Sequence, residues 1–279
     1  MRITRFIIHL SFSLIALLGF SHCTGNPFGD SGIAGKREIR GKVVLSPAAS
    51  RKDIFVWLEG FNIGTRTDEG GNFQLLLPPP SSQSSGGVDG IFNLFFYLAN
   101  YELATAEVVI QDGEFVFSKG DINQDGELSS PESLSQVLSI KTEIRQNDII
   151  KELFAVIITL AAIQDSVTVV FPGSVGGLLG AVLLRNLDTG EIFIIEGTPG
   201  AMSRDVVLIG KMPITRSLFF SLKVNPLPRG TYEVIPYLLL RHLEIPTDLI
   251  LSLGDDVEGL GPNYLKIPFR REQAIFEVE

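Results

Sequence analysis

The sequence predicts a mainly β chain of two β-sandwich domains, joined by a cation-binding type of loop and a short helical segment. Three observations carry this. From residue 39 onward, short runs alternate apolar and polar residues between Gly, Pro and Asx turns. The chain has 28 Gly, 15 Pro and 45% hydrophobic residues, which is a turn-rich folded composition and not a disordered one. Its 279 residues suit two domains at about 100–200 residues each.

Charge and rare residues exclude several functions. Lys plus Arg total 23 against 32 Asp plus Glu, a net charge of −9. Nucleic-acid binding runs on Lys and Arg, so no nucleic-acid partner is expected. One Cys cannot form an intrachain disulfide, and one Cys with three His cannot furnish a zinc ribbon.

The first 23 residues read MRITRFIIHLSFSLIALLGFSHC. Arg2 and Arg5 start a segment that is predominantly apolar from Phe6 to Phe20, too short to span a bilayer at about 20 residues. That is the layout of a secretory signal, placed at 1–22. The chain's single Cys closes it, and this placement resembles a bacterial lipoprotein signal, although Phe20 and His22 stand where Leu and a small residue are usual. The resemblance implies lipidation of Cys23, attachment to a membrane through the lipid, and an envelope location. Thr24 in place of Asp leans toward the outer membrane. Residues 23–36 then read as a Gly-rich tether. Removal of Arg2 and Arg5 leaves 21 − 32 = −11.

Residues 37–118 read as the first sandwich. Strands are expected at 39–44, 53–60, on both sides of Asp68-Glu69-Gly70-Gly71, at 90–99 and around Asp112-Gly113. The run Thr65-x-Thr67-Asp68-Glu69-Gly70-Gly71-x-Phe73-x-Leu75, after Ile39-x-Gly41-x-Val43 and Val56-x-Leu58, resembles the carboxypeptidase regulatory-like (transthyretin-like) β-sandwich. The resemblance implies a non-catalytic accessory module in which Asp68, Glu69 and Phe73 are turn and core residues. The polar stretch 78–90, PPPSSQSSGGVDG, departs from the family and is expected to be a mobile loop.

Residues 119–140 carry the strongest chemical signal. Asp121, Asn123, Asp125 and Ser129 fall at positions 1, 3, 5 and 9 of a twelve-residue calcium loop, with Gly126 at 6, Leu128 at 8 and Glu132 at 12. Ca²⁺ takes six to eight hard oxygens, which one short loop supplies only when alternate residues point inward. Asp121, Asn123 and Asp125 would coordinate directly, Glu127 through its carbonyl, Ser129 directly or through water, and Glu132 with both carboxylate oxygens. The strand-like entry 114–120 makes the loop resemble a dockerin-like EF-hand variety. A single copy does not support cohesin binding. A short helix is expected at 130–138 after Pro131.

Residues 141–279 read as a second, Ig-like sandwich, with strands at 166–171, 180–186, 191–197, 205–210, 217–224, 231–240 and 274–279. The segment 147–162 has apolar residues at helical spacing and is favoured as helix, against a strand reading from its β-branched residues. Other candidate sites are thin. Asp255, Asp256 and Glu258 read as a solvated acidic loop. Gly173 to Gly180 lacks the Lys of a phosphate loop, and His242 has no second His nearby in sequence. The expected function is a non-catalytic, calcium-stabilised binding or structural module of a cell-envelope lipoprotein, whose partner, if it binds one, would be a protein or a glycan. The alternative is a secreted hydrolase with an accessory sandwich, which a cleft lined by paired carboxylates would support.

Overall fold

The structure is a computed structural model that describes residues 36–241 and 244–279. The predicted signal, tether and Cys23, as well as His242, lie outside the described residues. Residues 36–279 form one compact unit, mainly β as the alternating pattern requires.

The first sandwich begins with β1 (Glu38–Ser46), where Ile39, Val43 and Leu45 turn inward with Gly41 between them. A side chain at Gly41 would meet Phe73 and Leu128 at 2.6 Å. Then come β2 (Phe55–Leu58), β3 (Ile63–Arg66), β4 (Asn72–Leu76), β5 (Gly90–Tyr97), β6 (Ala104–Gln111), β7 (Glu114–Phe115) and β8 (Glu132–Ser135). Two sheets result, β4-β1-β8 and β3-β2-β5-β6-β7. Val43, Val56, Phe73, Leu94, Phe96, Val108 and Leu134 belong to the core between them. Each such side chain, fully buried, is worth about 1.5–3 kcal/mol.

Two local expectations for this half are corrected. The turn at 68–71 does not close a hairpin. β3 and β4 lie in different sheets, and the turn carries the chain across the sandwich. Gly71, at φ +83°, is required because the Val43 carbonyl oxygen passes 2.3 Å from where a Cβ would sit. The segment 130–138 is no helix. Residues 132–135 are β8, parallel to β1 from Val43↔Glu132 to Ser46↔Ser135, because the free edge of β1 and the pocket for Leu134 outweigh a weak local helical preference. The 78–90 loop is held by its own Gln83. That side chain donates to the Pro78 and Gly113 carbonyls (both 2.8 Å) and accepts the Val88 N–H (3.2 Å).

The second half comprises β9 (Leu138–Gln146), β10 (Leu153–Ala162), β11 (Val167–Pro172), β12 (Ala181–Asn186), β13 (Ile192–Glu196), β14 (Arg204–Ile209), β15 (Ile214–Ser221), β16 (Gly230–Pro236), β17 (Leu239–Leu240), α1 (Thr247–Ser252) and β18 (Ala274–Val278). The sheets are β15-β10-β9, β14-β11-β17 and β13-β12-β16-β18. The favoured helix at 147–162 is overturned. Residues 153–162 form a strand that alternates without a break, with Phe154, Val156, Ile158 and Leu160 inside. Here the β-branched run decides, because two flanking strands bury one face. Residues 147–150 form a turn in which the Asn147 Oδ1 accepts the N–H groups of Ile149 and Ile150.

A third apolar core joins the halves. On β2 and β5 the side chains facing away from the first core are Phe55, Trp57, Phe95 and Tyr97. They are buried with Val170, Leu183, Ile235, Leu249 of α1, Val257 and Tyr264. Polar bonds cross the same seam. The fully buried Asn100 donates to the carbonyls of Leu138 (2.9 Å) and Arg270 (2.7 Å), and its Oδ1 accepts the Arg270 N–H (2.9 Å). Arg270 donates to the Ser50 (2.6 Å) and Lys52 carbonyls. Arg66 donates to the Lys266 carbonyl (2.6 Å) and lies over the Phe55 ring.

Candidate functional site

The predicted calcium loop lies at one edge of the first sandwich. Two apolar residues root it: Ile122 and Leu128, bridged to each other as in a hairpin, are buried in the first core. The loop also docks on β1. Arg40 N–H donates to the Gly126 carbonyl (3.0 Å), and Leu128 N–H donates to the Arg40 carbonyl (2.9 Å). Gly126 turns with φ +77°, a conformation open to Gly at little cost. Strand β7 enters the loop and strand β8 leaves it, so a calcium-loop pattern sits here between strands and not between helices.

The predicted ligands are partly brought together. The Asp121 carboxylate accepts the Glu107 N–H (2.6 Å). Burial, followed by the charge of Asp121, pushes the Glu132 carboxyl above its ordinary range, so the first and last positions of the loop feel each other. Asn123 and Glu127 are turned to internal bonds. The Asn123 Oδ1 accepts the N–H groups of Asp125 (2.9 Å) and Glu127 (3.0 Å), and the Glu127 carbonyl accepts the Asn123 N–H (2.8 Å). Ser129 N–H closes the loop onto the Asp121 carbonyl (2.8 Å). Among the described residues, no group of three or more His, Cys, Asp or Glu side chains stands close enough to hold a metal ion. Ion binding would require the Asn123 Oδ1 to give up one of its two bonds, whereas the Glu127 carbonyl keeps a second lone pair for a cation.

A concavity of about 950 Å³ lies beside the loop, between Glu127, Leu128 and Pro131 and the residues Lys42, Arg66 and Gln74. Of the carboxylates that line it, Asp68 has partners of its own. The Asp68 carboxylate accepts the Asn72 side-chain and backbone N–H groups, which hold its pKa below the ordinary 3.8. Arg40, whose guanidinium is 2.7 Å from Glu38, also faces the charge of Glu127.

The residues of the sandwich signature fall on structural tasks. Thr67 is buried, donates to the Arg51 carbonyl and accepts the Ile54 N–H. Asp68 shapes the turn, and Phe73 packs against Phe96 with ring centroids 5.6 Å apart. In the second half, the Glu258 backbone carbonyl accepts the Tyr237 hydroxyl (2.6 Å) and the Asp255 carbonyl accepts the Asn263 side chain (3.0 Å). The seam residues Asn100, Arg66 and Arg270, and the buried Glu233 paired with Arg185, were missed in the sequence. No local signal marks them, since their partners lie up to 220 residues away.

No family model matches the sequence, and no curated protein matches it. Solved structures match it only distantly. The chain is similar to the shaft pilin SpaA from Lactobacillus rhamnosus GG (a D295N mutant) at 10% identity and TM-score 0.30, covering 72% of this chain and 86% of that one. It is similar to the Bacillus anthracis TIE protein at 9% and 0.23, covering 86% and 34%, and to a streptococcal ancillary pilin at 9% and 0.25, covering 87% and 63%. It thus spans about a third of the second structure and under two thirds of the third.

Proposed function

We propose that this chain is a non-catalytic structural or binding module of the cell envelope, held at a membrane by lipid on Cys23 and stabilised by Ca²⁺ in the 121–132 loop. The observation that carries the reading is the third core. Phe55, Trp57, Phe95 and Tyr97 are spent on welding one sandwich to the other, which suits a part that holds a fixed spacing. Asp121, Asn123, Asp125, Ser129 and Glu132 would supply side-chain oxygens to the ion, and Glu127 its carbonyl. The partial burial of Glu132 and the charge of Asp121 acting on it support this, because a cation would favour the ionised carboxylate. The rooting of the loop in the first core makes ion binding a stabilisation of that sandwich.

Calorimetry with and without calcium tests the reading. At a Kd of about 10⁻⁴–10⁻³ M, roughly 10 mM Ca²⁺ should add about 1.4–2.7 kcal/mol by mass action. That is a rise in Tm of about 3–10 °C over chelator. Asp121→Ala should melt alike in both. Identical melts of the unaltered protein, with no heat on titration, remove calcium from the reading. Labelled fatty acid incorporated equally by the unaltered chain and a Cys23→Ser variant removes the anchor.

A further inference from the structure

The residue that closes the calcium loop also opens a strand that ends at the seam. Glu132 is position 12 of the loop and the first residue of β8. β8 is four residues long and lies parallel to β1, from Val43↔Glu132 to Ser46↔Ser135. Leu134 anchors it, fully buried in the first core. A slip of one residue would turn Leu134 out of that core, so β8 is either docked in this register or detached. At its far end the Ser135 carbonyl accepts the Glu102 N–H (2.9 Å), and the Gln136 N–H donates to the Ser46 carbonyl (2.9 Å). The Val137 N–H then donates to the backbone carbonyl of Asn100 (3.0 Å).

The segment 99–102 that receives β8 grips the second half as well. The Ala99 N–H donates to the Pro268 carbonyl (2.8 Å). The Asn100 side chain donates to the Arg270 carbonyl and accepts the Arg270 N–H. Next to these residues, Tyr264, Ile267 and Phe269 pack in the third core. A path of hydrogen bonds therefore runs from position 12 of the loop, along β8 and through residues 99–102, to 268–270. At about 3.3 Å per residue, β8 spans only about 10 Å of that path.

We propose that occupancy of the calcium loop and closure of the seam are coupled through β8, so that the ion holds the two sandwiches in their fixed relation. This coupling rests on the calcium reading above and reaches past the first sandwich. A grip on the ion by both Glu132 oxygens fixes the first residue of β8. A docked β8 presents the Ser135 carbonyl and the Val137 N–H to residues 100–102, and these hold the second half. Such coupling is reciprocal. If the ion tightens the seam, a loosened seam weakens ion binding by the same factor.

Calcium titration and amide exchange of the full chain test it. Asn100→Ala removes seam bonds and no predicted ligand, and should weaken Ca²⁺ binding about fivefold or more. Asn147→Ala also removes two hydrogen bonds, to the Ile149 and Ile150 N–H groups. Those lie off the path, so its affinity should match that of the unaltered chain. In the unaltered chain, Ca²⁺ over chelator should slow amide exchange at Glu102, Val137 and Arg270 as well as within 121–132. The exchange measurement needs no variant, so it decides the matter even if Asn100→Ala fails to fold. Protection confined to 121–132, or equal affinity in a folded Asn100→Ala, overturns the coupling and leaves the calcium reading standing. No heat of titration and no change in exchange anywhere overturns both.

Discussion

Asn100 should be one of the costliest polar side chains to remove. It is fully buried and makes three hydrogen bonds, of 2.7, 2.9 and 2.9 Å, to the backbone of Leu138 and Arg270. Each such bond contributes about 0.5–1.5 kcal/mol net, so Asn100→Ala should cost about 3 kcal/mol, or about 6–12 °C in Tm for a chain of this size. The comparator is Asn93→Ala. Asn93 donates to Glu59 at 2.9 Å on the exposed surface, and its loss should fall within about 0.5 kcal/mol. The chain's single Trp is Trp57, in the third core, so its fluorescence reports on the seam itself. Urea unfolding followed by Trp57 emission should shift to lower urea in Asn100→Ala and hardly move in Asn93→Ala. If the two variants lose the same stability, the seam is not held by Asn100 and this reasoning fails.

The turn after β3 supplies two more predictions. Gly71→Ala adds a Cβ 2.3 Å from the Val43 carbonyl oxygen at φ +83°, and should destabilise by more than about 1 kcal/mol in equilibrium unfolding. The Asp68 carboxyl is held below its ordinary 3.8 by the Asn72 N–H groups, so its contribution is full above that pH. It is lost as pH falls through the lowered value. Asp68→Asn should therefore flatten the acid limb of a stability-versus-pH curve below about pH 4, and an unchanged limb would exclude the mechanism.

Periodicity made much of the fold legible. Strands β11 to β14 lie within a residue or two of their sequence bounds, because each is a short apolar run between turn residues. It failed where two periodicities overlapped. In 147–162 the apolar positions fit a helical stripe until residue 153, where Phe154, Val156, Ile158 and Leu160 alternate. Only the strands on either side of β10 decide between them. The helix expected at 130–138 failed similarly, since nothing near Leu134 shows that β1 needs a parallel neighbour. The calcium pattern named the loop, and Ile122 and Leu128 anchor it. The orientation of Asn123 toward its own backbone could not be read from spacing. The seam was legible only as the run 90–99, apolar on both faces, because the residues that cover Phe55 and Trp57 lie more than 100 residues away.

That separation sets an order of events during synthesis. The sheet of β1 gains its last strand only when residue 135 has been made. The aromatic side of β2 and β5 gains its first cover from Val170 and Leu183 and its last only when residues 249–267 arrive. A ribosome adding about 5–20 residues per second leaves the cover of Trp57 incomplete for roughly ten seconds or more. For that interval the emerging chain is a sticky, half-finished object, the state in which holding factors act and in which a truncation within the last forty residues would leave it.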